Sequence, residues 1–185
     1  SDKADTNLTS ITGAANTVVN IDGKTVVEKD IQNVSKLVVN KDLTVANGKV
    51  AVDFLTSDAG KAGTLTAKNL TVKGDAKSAA QNIEFGGNLV VTNKAQFQDD
   101  TVLTGAANVV KTLEFDKNAK IAAGITVADT LSMKGGNSTE LFVGTPATSD
   151  DTGNNAVLVV NKLDLNGATL TADPSFDKPS NIVIA

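Results

Sequence analysis

The sequence predicts an all-β chain, wound as a parallel β-solenoid (β-helix), with one or two antiparallel β-sandwich domains as the alternative. Three observations carry this. Short β-branched runs follow one another from end to end, turn-forming Asn, Asp and Gly separate them, and no long stretch shows helical periodicity.

The runs begin with TVVNI (Thr17 to Ile21), KLVVN (Lys36 to Asn40), LTV (Leu43 to Val45) and VAVDFL (Val50 to Leu55). They continue through TLTA (Thr64 to Ala67), LTVK (Leu70 to Lys73), IEF (Ile83 to Phe85), LVVT (Leu89 to Thr92) and TVL (Thr101 to Leu103). VVKTLEF (Val109 to Phe115), ITVA (Ile125 to Ala128), TLSM (Thr130 to Met133) and ELFV (Glu140 to Val143) follow. AVLVVN (Ala156 to Asn161), LDL (Leu163 to Leu165), ATLTA (Ala168 to Ala172) and IVIA (Ile182 to Ala185) complete the series. Partial alternation with Thr, Lys or Asp is the period-2 signature of half-buried strands. The intervening DGK at Asp22, NGK at Asn47, KGD at Lys73, GGN at Gly86 and Gly135, and NGA at Asn166 tolerate left-handed backbone or tight turns. The best helix candidate is Asp75 to Asn82, two turns at most.

The spacing of strand centres favours the solenoid. Leu70 to Leu89 is 19 residues, Leu89 to Val109 is 20, Leu113 to Leu131 is 18 and Leu141 to Leu158 is 17. A coil of that length holds two or three short strands and stacks on the next at about 4.8 Å, giving ladders of aliphatic side chains inside. Segments also echo one another: ITGAANTVV from Ile11 and LTGAANVV from Leu103; LVVNKDL from Leu37, LVVNKLDL from Leu158 and LVVTNK from Leu89; NLTVKGD from Asn69 and DLTVANG from Asp42. Their unequal spacings exclude a tandem repeat of fixed length. The organisation expected is one elongated β domain over residues 1–185, with an exposed loop at 144–155 and a Pro-bounded linker plus strand at 173–185.

Composition narrows the function. Hydrophobic residues make up 41 %, enough for a core, and the 3 % of aromatics are six Phe, so the core is built from Val, Leu, Ile and Ala. Phe85, Phe97, Phe115 and Phe142 are expected inside it. Cys, His, Trp, Tyr and Arg are absent, and all 17 basic residues are Lys. No thiolate, disulfide or imidazole ligand exists, and no guanidinium to clamp a phosphate. With a net charge of −4 and no Tyr or Trp to stack on bases, nucleic acid is not an expected partner. No run approaches the ~18 apolar residues of a membrane span, and Ser1 to Thr6 is polar, as a mature N-terminus or an excised fragment would be.

Two acidic pairs, Asp99-Asp100 and Asp150-Asp151, have the residue type for acid and base roles in glycoside cleavage. Without His or Arg beside them they read as solvated turn residues, and the expectation is no enzyme. Asp150, Asp151, Asn154 and Asn155 gather hard oxygens in one loop and are the candidate Ca2+ ligands, although they match no full EF-hand pattern. No other cofactor is expected. Four sequons, at Asn7, Asn33, Asn69 and Asn137, are the number that chance supplies in a chain so rich in Asn and Thr.

The chain resembles the repetitive regions of bacterial surface-layer (S-layer) proteins: acidic, rich in Thr, Val, Ala, Asn and Lys, and free of Cys and His. LVVNKDLTVANGKV, NLTVKGD and ITVADTLSMKGGN also look like rungs of autotransporter passenger domains, which are right-handed β-helices. The resemblance is one of texture over nearly the whole chain. It implies an extracellular, cell-surface structural module acting through self-association or contact with other domains of a larger surface protein. An adhesin binding cell-wall or host glycan is the alternative, and a polysaccharide-active β-helix enzyme a distant third.

Overall fold

The computed structural model describes residues 5–74, 83–122, 124–144, 156–172 and 181–184. They form a parallel β-solenoid whose coils are three-sided. The first coil is β1 (Thr6–Leu8), β2 (Ile11–Thr12) and β3 (Val18–Ile21); the second is β4 (Thr25–Val27) and β5 (Ile31–Val39); the third is β6 (Leu43–Val45) and β7 (Lys49–Thr56). Then come β8 (Leu65–Val72) with β9 (Ile83–Phe85), β10 (Leu89–Phe97) with β11 (Thr101–Leu103), and β12 (Ala107–Val109) with β13 (Thr112–Phe115) and β14 (Ala119–Ile121). The seventh coil is β15 (Ile125–Met133) and β16 (Glu140–Val143), the eighth β17 (Ala156–Asp164) and β18 (Thr169–Ala172), and β19 (Asn181–Ile184) starts another. The helical content of the described residues is one 3-10 turn, Gly136–Ser138. The residues expected to be helical, 75–82, lie outside those described.

One face is a row in the order β1-β4-β6-β8-β10-β12-β15-β17-β19, each strand parallel to the next. The longer strands bend round a corner and serve two faces, as β10 does by pairing its start with β12 and its end with β13. The third face comprises β3 and the ends of β5 and β7, followed by the separate sheet of β9, β11, β14, β16 and β18. Parallel pairing throughout excludes the antiparallel sandwich.

The interior consists of ladders. Leu43, Leu65, Leu89, Ala107 and Ile125 stack on the first face, Val52, Val72, Phe97, Phe115 and Met133 on the second, and Phe85, Leu103, Ile121 and Val143 on the third. All are buried. Volumes balance within each coil. The coils carrying Phe97 and Phe115 place the small Ala95, Thr101, Ala107 and Ala119 at other inward positions, which keeps the cross-section filled at constant size. Phe97 and Phe115 stack with ring centroids 5.4 Å apart and planes at 21°.

Two expectations are corrected. Phe142 lies on the outer side of its face, because β16 alternates and its inward positions are Leu141 and Val143. Of the strand-centre spacings, Leu113 to Leu131 is a true coil step of 18 residues, whereas Leu70 to Leu89 and Leu141 to Leu158 join different faces, and Leu89 stacks on Ala107, two residues short of Val109. The strand expected at the end of 173–185 continues the first face, since Ile182, Val183 and Ile184 pair with Leu158, Val159 and Val160 of the same chain. Of the segment 144–155, only Gly144 is described; it is buried and donates to the Ile121 carbonyl.

Candidate functional site

Polar side chains concentrate at the corners, where the backbone turns and ladder hydrogen bonds lapse. At the corner leading from the third face back to the first, Asp22, Asn40 and Asp58 stack at 18-residue intervals. Asn40 is buried, and its amide donates to Asp22 Oδ1 and Asp58 Oδ2, both at 2.8 Å, while its own Oδ1 accepts the Asp58 N–H at 2.8 Å. Between the first two faces, Asn93 Nδ2 donates to Asn69 Oδ1 at 2.7 Å. Asn69 is one of the four sequons, and its side chain is committed here to the stack.

Asp99 and Asp100 belong to the corner entering the third face. Asp99 is buried, and its Oδ1 accepts from Lys117 Nζ at 2.6 Å and from the Asp100 N–H at 2.9 Å. This bond and the Asp99 charge raise the Lys117 ammonium above its ordinary pKa of 10.5. Asp100 Oδ1 accepts the Asn118 N–H at 3.1 Å and its Nδ2 at 3.0 Å, and Asn118 Oδ1 in turn accepts the Glu140 N–H at 2.9 Å. The pair named from sequence for acid and base work thus ties consecutive coils together; Asp100 is partly exposed, as a turn residue, whereas Asp99 is buried, not solvated, and its carboxylate is satisfied by these bonds.

Beside this column is a shallow depression of about 430 Å³ on the outer surface of the third face. Val102, Lys120 and Phe142, in register on β11, β14 and β16, form its floor, with Asp100, Asn118 and Glu140 along one border. Lys120 Nζ stands 5.2 Å from the Phe142 ring centroid, a cation–π contact. Such a surface offers one half-buried aromatic ring, an aliphatic neighbour, an ammonium and two carboxylates. It can hold the apolar face of a ligand and hydrogen-bond its edge, but it pairs no nucleophile with a base.

Two further depressions flank the loop after β7. One of about 410 Å³ lies between that loop and Glu84, Gly86 and Val102; the other, of about 390 Å³, is bordered by Lys24, Lys41 and Lys61 with Asp42. The candidate Ca2+ ligands Asp150, Asp151, Asn154 and Asn155 lie outside the described residues, as does Phe176. Among the described residues no three His, Cys, Asp or Glu side chains converge as a metal site, and no helix is long and apolar enough to cross a membrane.

Sequence reasoning did not find the Asn40 stack or the Phe142 surface. Signals for both existed. Asp22, Asn40 and Asp58 recur at the same 18-residue step as the strands, and alternation in ELFV opposes Phe142 to Leu141 and Val143. No family model, curated protein or solved structure matches the chain.

Proposed function

We propose that this chain is a non-enzymatic structural and assembly module of a microbial cell-surface protein, S-layer-like, working outside the cell by contact with copies of itself or with the rest of a larger surface protein. The observation that carries this reading is the first coil. Thr6, Asn7 and Leu8 are all exposed, Leu8 at 39 % and Val18 at 55 %, whereas Val27, Ile31, Leu37 and Val39 of the second coil are at 0 %. Among the described residues this coil is covered on one side only, and such a coil is completed by a further coil or strand, of the same protein or of a copy. The engagement of Asp99, Asp100 and Asn118 in coil-to-coil bonds supports the same reading, since it gives the polar corners a structural task.

A glycan-binding adhesin is the second reading, favoured by the Phe142 depression. Electron microscopy of the purified chain with and without Ca2+ tests the two. Rods longer than one chain, or sheets, are the expected result. Uniform single particles in both conditions, with retention on a polysaccharide column that Phe142→Ala removes, would replace the assembly reading by the adhesin one.

A further inference from the structure

The three faces differ in charge. The outward centre row of the second face includes Glu114 and Asp164, and that of the third includes Glu84 and Lys120. On the first face the corresponding row is Val26, Thr44, Thr66, Val90, Asn108 and Thr126, with no charge over six coils. The positions bordering it in the fifth and sixth coils, Asn88, Thr92, Ala106 and Val110, are uncharged as well, and Val110 is 50 % exposed. Lys24, Glu28, Asp42 and Lys68 appear only along the borders of the earlier coils, as the polar rim of an interface does.

We propose that this face docks against the same face of a second copy of the chain, sheet on sheet. This rests on the assembly reading above and names the surface that performs it. Three arguments select a second copy. First, the row repeats once per coil, and a partner whose side chains interdigitate with it along its length must repeat at the same ~4.8 Å rise, which another copy does. Second, each chain carries a net charge of −4, so copies approach most easily through a face whose centre row contributes none of it. Third, the area suits a weak contact that repeats. The six coils of the row, at about 4.8 Å each and about five residues wide, cover roughly 500 Å² per partner. The pair then buries about 1,000 Å², the scale of contacts that add up in a lattice. The face bears no aromatic ring for a sugar to stack on, and its centre bears no lysine for an anionic polymer.

Sedimentation of the chain across a concentration series is the test, with Val90→Lys/Val110→Lys and Val90→Glu/Val110→Glu double variants. The wild type should associate, each double variant should do so at least about tenfold more weakly, and an equimolar mixture of the two should recover association. Circular dichroism and melting confirm that the doubles fold; Thr126→Lys, at a fully outward position, replaces them if they do not. Wild-type association in both doubles overturns the inference. If Val18→Lys on the first coil abolishes association while the doubles keep it, copies stack end to end; the face fails and the assembly reading survives. A wild type that stays monomeric up to its solubility limit overturns the inference and leaves of the assembly reading only contact with the rest of a larger protein.

Discussion

Asn40 shows how a single side chain joins three coils. It donates to a carboxylate above and to one below, an arrangement that an amide can supply and a third carboxylate cannot. In Asn40→Asp, three acids would stand in a column at the coil spacing. We expect a loss of about 1–3 kcal/mol, reduced at high salt as the repulsion between the three carboxylates is screened. Thermal melts of the variant and wild type at low and high ionic strength check this; an equal loss at each would mean that charge is not the cause. Lys117 provides the opposite sign. Its ammonium is held above its ordinary 10.5 by the bond to Asp99, so folding favours the protonated form. The stability it contributes is complete below about pH 10 and is lost as pH rises through the raised value. The melting-temperature gap between wild type and Lys117→Met should therefore be constant from neutral pH to about 10 and close above it. A gap that persists there would assign the effect to the packing of the lysine stem.

Within the elements, alternation decides what each aromatic does. Phe97, at the inner position of β10, stacks on Phe115 and is fully buried, so Phe97→Ala should cost about 3–5 kcal/mol through the cavity it leaves. Phe142, on the outer side of β16, should cost below about 1 kcal/mol by the same change. Denaturant unfolding of the two variants checks the contrast, and equal costs would contradict the strand parity. Strand parity was legible in the sequence, because it repeats every two residues and needs no knowledge of distant partners. Coil register was not. Corners differ in length, from the tight bend within β8 to the 3-10 turn between β15 and β16, so the echoing segments do not mark coils. LVVNKDL runs from the third face to the first, whereas LVVTNK runs from the first to the second. What repeats is a strand with its following corner, and about three such units make a coil. The glycines of GGN at Gly86 show a related gap. They read as left-handed turn positions, yet Gly87 is required because a Cβ there would strike the Gly63 carbonyl of the coil below, and Gly105 meets Gly87 in the same way. Close approach between coils depends on stacking, which local sequence does not encode.

At the scale of the molecule, each coil is held only by its neighbours, so stability behaves as a sum of coil and interface terms along one dimension. A coil covered on both sides should open with a free energy near the global value, and one covered on a single side with less. The first coil is covered on one side among the described residues: β1 pairs only β4, β2 and β3 pair only β5, and Leu8 and Val18 remain exposed. The sixth coil is enclosed, with β12 between β10 and β15 and β14 between β11 and β16. Amide hydrogen exchange read by mass spectrometry should therefore be fastest in the peptide 6–21 and slowest in 107–121. The comparison also bears on assembly. If copies stack end to end, protection of 6–21 should rise with protein concentration while that of 107–121 stays fixed. If they pair through the first face, exchange in 6–21 should remain fast at every concentration, because covering the outer side chains of a strand leaves its terminal edge open. A first coil as protected as the sixth in dilute solution would contradict the one-dimensional account, and would mean that this end is capped within the chain itself.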